Sequence, residues 1–165
     1  MTPTQKIQNW IKEFVTKPNP VFGNLPPCPF AQKALIESKV TFTEMPGTAD
    51  YATLYQAIFN FDFDEKDVLI MILPGDHFSV KHTHQMAKDL NSYFMSRDVV
   101  VLEDHPEWLE SVKGVKLNNG EFILFLAQKL SKLNHFSSVL PESYYRHWSK
   151  DYLESVKIFR ERKNP

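Results

Sequence analysis

Apolar residues recur at helical spacing near the start of the chain. Ile7, Trp10, Ile11, Phe14 and Val15 stand at i, i+3, i+4, i+7 and i+8, which puts them on one helix face. Thr2 or Thr4 can cap this helix with Pro3 near its first turn, and Lys17-Pro18-Asn19-Pro20 ends it. Pro20 to Pro29 reads as an irregular proline-rich loop whose Val21, Phe22 and Leu25 need burial. A second helix is expected from Pro29 to about Ser38, with Phe30, Ala31, Ala34 and Leu35 at helical spacing. The pattern then changes period. Val40–Met45 alternates, Val68–Leu73 is an unbroken apolar run ending at Pro74-Gly75, and Val99–Leu102 runs into Glu103-Asp104. Those are three strands, the middle one covered on both faces. Helices near Tyr51–Phe59 and Ser79–Ser96 separate them.

Strands alternating with helices predict an α/β fold: one domain over 1–165 with a small, mainly parallel sheet of three or four strands. Residues 1–39 supply the N-terminal helices and proline loop, 40–104 the βαβαβ core, and 121–163 C-terminal helices. An antiparallel strand could sit within Trp108–Leu117. Phe122–Leu133 fits a buried helix or a fourth strand, and the helix formers from Gln128 to Leu133 favour helix. A last helix from Pro141-Glu142 would align Tyr145, Trp148, Tyr152, Val156 and Phe159 on one stripe, opposite Arg146, Lys150 and Arg160.

Composition narrows the function classes. The 165 residues are 42% hydrophobic and 13% aromatic, enough to offset the entropy of ordering a core. Lys+Arg 19 against Asp+Glu 20 leaves a net charge of −1, so no nucleic-acid partner is expected. The basic tail Lys157–Lys163 reads as a solvated helix end. No stretch approaches the ~20 apolar residues of a membrane span, and the start lacks the apolar core of a secretory signal. A cytoplasmic location is therefore expected, and one cysteine fits a reducing compartment. Phosphate-loop glycine motifs are absent and no cofactor is indicated.

The chemistry-bearing residues are few. Cys28 is the expected N-cap of a helix whose first residue is Pro29, where unpaired N–H groups and the helix dipole would favour a thiolate. A small anionic ligand could be held there, with Pro29 and Phe30 beside it. His105 falls just past the end of a strand, with Pro106 fixing the backbone and Asp104 or Glu107 available to orient the ring. Should Cys28 approach His105, the two would form a catalytic thiolate–imidazolium couple. His77, His82 and His84 are metal candidates, although His-x-His on a helix points its rings about 200° apart.

Two resemblances follow from these motifs. Cys28-Pro29-Phe30-Ala31-Gln32-Lys33-Ala34 resembles the helix start of glutaredoxins and omega-type glutathione transferases. In those families the first Cys exchanges thiols with glutathione, and Ala31 stands where a resolving Cys would be. No strand precedes Cys28, where the thioredoxin fold places one. Over roughly residues 5–135 the order of features is similar to a bacterial family without an assigned activity. That family carries a helix, a Cys-Pro-Phe-Ala motif, a strand ending near Leu-Pro and a later His-Pro-acid-aromatic motif. Cys28-Pro29-Phe30-Ala31, Leu73-Pro74 and His105-Pro106-Glu107-Trp108 match it, which implies an α/β domain with candidate positions Cys28 and His105. The leading expectation is a thiol-dependent or small-molecule-binding enzyme at those residues. The alternatives are a non-catalytic interaction protein that dimerises through the aromatic stripe, and a histidine-based metalloprotein.

Overall fold

The computed structural model describes residues 1–163. Thr2 caps α1 (Pro3–Trp10) reciprocally with Gln5, and the helix runs on as a wider π turn over Ile11–Val15. A single 3₁₀ turn (Pro20–Phe22) interrupts the proline loop before α2 (Ala31–Ile36). The core then follows as β1 (Val40–Glu44), α3 (Tyr51–Phe59), β2 (Val68–Pro74), α4 (Val80–Phe94) and β3 (Val99–Asp104). Asp50 caps α3 and Ser79 caps α4. Beyond β3 comes a small hairpin, β4 (Ser111–Val112) and β5 (Val115–Lys116), then β6 (Phe122–Lys129) and α5 (Leu130–Ser138). The chain ends in α6 (Glu142–Tyr145), α7 (Lys150–Leu153), a π turn over Glu154–Ile158, and α8 (Phe159–Lys163).

The fold is α/β with a four-stranded sheet in the order β1-β2-β6-β3. The sheet is mixed: β1 and β2 pair in parallel, and β6 is antiparallel to both β2 and β3. This corrects the expectation of a mainly parallel sheet, and it corrects the preference for helix at Phe122. The helix formers that favoured helix there belong to α5, one element later. Since β6 separates β2 from β3, its residues meet core on both faces: Ile123, Leu124, Phe125 and Ala127 are all buried. An unbroken apolar run is what such a strand requires. The Trp108–Leu117 region holds the β4–β5 hairpin, which pairs with itself in a separate sheet.

Helices cover the two faces unequally. On one side α3 and α4 send Leu54, Ile58, Met86, Ala87, Leu90 and Phe94 against Leu69, Met71, Leu73, Val101, Ile123 and Phe125. On the other side α1 sends Ile7 and Ile11 against Ile70, Ile72 and Leu124, while Leu130 of α5 meets Val100. The single C-terminal helix expected after Pro141 is instead three short helices and a π turn. Its aromatic stripe is spent within the chain. Tyr144, Trp148 and Tyr152 pack with Phe22 and Val112, and Phe159 packs beside Val100. A dimer through that stripe would have to unpack this cluster.

Gly75 is required where β2 turns away from β6. A Cβ there would drive into the backbone oxygen of Glu121, with Pro106 Cγ only 3.0 Å away. Gly47 has open space at the same test. Gly75→Ala should therefore cost about 1–3 kcal/mol in urea unfolding, as overpacking against fixed backbone does. Gly47→Ala should leave the midpoint nearly unchanged.

Candidate functional site

α2 is the element that shapes an apolar cavity. It is six residues long, has no side-chain cap, and buries none of its residues, although it lies over the apolar sheet face beside α1. Ala31 and Ala34 face the space where larger side chains would reach the strands. The result is a cavity of about 400 Å³ between α2, the end of α1, the sheet and α5. Val40, Val68, Ile70, Leu124 and Leu126 form its floor, Trp10, Ile11 and Val15 one wall, and Leu133 and Phe136 the opposite wall. Phe30 stacks on Phe136 at 4.6 Å between ring centroids. That stack links α2 to α5 across the cavity. Charged groups collect at one end only, where Lys33, Glu37, Asp67, Lys129 and Lys132 line the rim.

Cys28 and Pro29 line this cavity, but Cys28 is not a helix cap. The N-cap of α2 is Phe30 and the first helical residue is Ala31, so the helix begins later than the proline spacing suggests. The N–H of Cys28 donates to the Val15 carbonyl at 3.1 Å, tying the proline loop to the end of the first helix. Tyr144 pulls on the same loop by donating its hydroxyl to the Pro27 carbonyl. Burial raises the Cys28 thiol above its ordinary value, outweighing the backbone N–H groups of Phe30 and Ala31 that favour the thiolate. The activated thiol expected from the sequence is thus opposed by its surroundings.

His105 lies elsewhere. It is fully buried, its Nε2 donates to the Phe78 carbonyl at 2.8 Å, and its Nδ1 accepts the Glu107 N–H at 3.0 Å. Phe78 packs on the α3/α4 side of the sheet, whereas Cys28 opens onto the α1/α2 side. The two residues do not share a cavity. Both ring nitrogens of His105 are occupied by backbone, so backbone, not the side chain of Asp104 or Glu107, sets the ring. Asp104 faces Asn119, accepting its N–H at 3.0 Å and its amide at 2.7 Å. Glu107 is exposed.

The other histidines also disperse. His77 bonds the Ala49 carbonyl at 2.7 Å, His82 sits against Phe78, and His84 bonds Glu103 at 2.8 Å under Trp108. Among the described residues no group of three His, Cys, Asp or Glu side chains converges as a metal site. No helix among them is long and apolar enough to cross a membrane.

The sequence reading missed Glu110. This half-buried carboxyl faces Asp104 and Glu103 and takes a hydrogen bond from Tyr152, linking the irregular segment before β4 to α7. Nothing in the local sequence marks it, since the contact joins residues far apart in the chain.

Fold and site together describe an α/β domain with a mixed four-stranded sheet and a one-ended apolar cavity. No protein-family model matches the chain, and no curated protein or solved structure matches it.

Two solution measurements follow from these environments. Burial, reinforced by the charges of Asp104 and Glu103, pushes Glu110 up to about 8 from an ordinary 4.5. An acid raised in the folded state stabilises fully below its unfolded value and loses that contribution as pH rises toward the folded one. Tm should therefore fall between pH 4.5 and 8, and Glu110→Gln should flatten that fall. Alkylation of Cys28 in the folded protein should still be accelerating above pH 9, slower than an unhindered thiol at each pH.

Proposed function

We propose that this protein binds a small, largely apolar molecule in the cavity between α2 and the sheet. The observation that carries this reading is α2 itself, a helix over an apolar sheet face with no buried residue of its own. Protein interiors are packed at the density of organic crystals, and a missing layer forfeits contacts on every surface that lines it. Left to water, the half-buried Val68 and Leu126 present apolar surface that hydration does not satisfy. A bound molecule completes the layer. About 400 Å³ lies within the range of small-molecule sites, and an apolar wall with polar groups confined to one end is their usual composition.

In this reading Cys28 is part of the wall and needs no thiolate. Catalysis by a Cys28–His105 couple has no geometric support, because the imidazole is committed to backbone on the other side of the sheet. Binding without turnover is the reading the cavity favours.

A filled cavity should abolish binding without unfolding the protein. Ala34 faces the cavity from α2, so Ala34→Phe occupies the site from within. The parent should bind an apolar fluorophore such as 1-anilinonaphthalene-8-sulfonate with one-to-one stoichiometry and a rise in Tm. Ala34→Phe should lose at least tenfold in that affinity while keeping its far-UV circular dichroism, and Cys28→Ser should bind like the parent. Equal binding by Ala34→Phe would overturn the proposal.

A further inference from the structure

We infer that a second copy of this chain pairs antiparallel with β1, joining two four-stranded sheets across a two-fold axis at Phe42.

The two edges of the sheet are unequal. β3 forms one edge, and α4 closes it at its middle. There Asn91 donates its amide to the Val101 carbonyl and accepts the Val101 N–H, both at 2.8 Å. β1 forms the other edge. Met45 donates its N–H to the Ile72 carbonyl at 2.9 Å, and along a parallel ladder every second residue shares that direction. Thr41, Thr43 and Met45 therefore face β2, while the N–H and C=O groups of Val40, Phe42 and Glu44 face outward. Among the described residues none of those outward groups has a protein partner. Edge strands are ordinarily blunted by a lysine, a proline, a bulge or a covering side chain. β1 reads Val-Thr-Phe-Thr-Glu and pairs with β2 in unbroken register, with a charge only at its last residue.

Self-complementarity then selects the occupant. With Phe42 on the axis, Val40 lies opposite Glu44 of the second copy and Phe42 opposite Phe42. Each outward residue then exchanges both of its backbone bonds. Thr41 lies opposite Thr43, and threonine pairs and aromatic pairs of this kind stabilise antiparallel strands. Glu44 meets valine, so no like charges oppose. Neighbouring registers fail. A slip of two residues one way sets Val40 opposite Pro46, which has no N–H to give. A slip the other way sets Glu44 opposite Ser38, whose φ of 56° ends the extended chain. An isologous contact of this kind closes on itself as a dimer.

Sedimentation equilibrium of the intact protein over a concentration series tests this. The parent should associate reversibly to twice its 19.3 kDa. Thr41→Lys with Thr43→Lys sets ammonium against ammonium across the axis, and should weaken the dimer at least tenfold with unchanged far-UV circular dichroism. Thr41→Lys with Thr43→Glu sets opposite charges together in this register and should restore association. Independently of any variant, amide hydrogen exchange at Phe42 and Glu44 should slow as the parent's concentration rises. A parent that stays monomeric, a dimer untouched by the two lysines, no recovery with the lysine–glutamate pair, or exchange at Phe42 and Glu44 that ignores concentration would each overturn the inference.

Discussion

The architecture depends on β6 entering the sheet between β2 and β3. Without it those two strands and α4 form an ordinary crossover unit with a gap at the centre. Asn119 secures the entry. Its amide donates to Asp104 at the end of β3 and to the Phe122 carbonyl, while its Oδ1 accepts the N–H groups of Glu121 and Phe122. One side chain thus holds the end of β3 against the start of β6. The close approach of Glu121 to Gly75 fixes the end of β2 to the same point. β2, β6 and β3 are all pinned at one end of the sheet, and that end carries the buried polar groups Asp104, His105 and Asn118.

The opposite end of the sheet has a different character. There β6 delivers its chain directly into α5, whose Leu130 is anchored by an N–H bond to the Asp98 carbonyl. Because β6 is central, α5 must descend over the same sheet face as α1, and α2 is left to cover what remains between them. The α3/α4 face is filled by large side chains from both helices. The α2 portion of the other face is covered by Ala31, Ala34 and Leu35. The difference is in sequence, not topology: of this six-residue helix, Ala31 and Leu35 touch the sheet-side core and no residue is fully buried.

Much of this arrangement is legible in the chain. The αβ alternation, a threonine cap at Thr2 or Thr4, and the double burial of Val68–Leu73 follow from period and capping chemistry. The strand at Phe122 was ambiguous for a physical reason, since an apolar run buried on both sides carries no periodicity to separate strand from helix. Its aromatic and β-branched start, Phe122-Ile123-Leu124-Phe125, was the signal for strand, and the helix formers beyond it pulled the boundary the wrong way. The cavity was legible only in part. Cys28, Pro29 and Phe30 do line it, but its floor comes from strands whose pairing the sequence does not specify. Glu110 was invisible because burial by α7 is a tertiary fact.

The fate of the lone cysteine shows how context decides chemistry. Proline at 29 suggested a helix start and hence a stabilised thiolate, yet the proline loop is held from both sides before the helix begins. Val15 takes the Cys28 N–H, and Tyr144 donates to Pro27. Held there, the thiol faces the cavity wall, and desolvation outweighs the nearby N–H dipoles. The same two hydrogen bonds fix the loop that leads into α2, whose Ala31 and Leu35 rest against the sheet-side core. On the reading proposed above, a neutral thiol in an apolar wall, with the charged groups at the rim, suits holding a ligand better than attacking one.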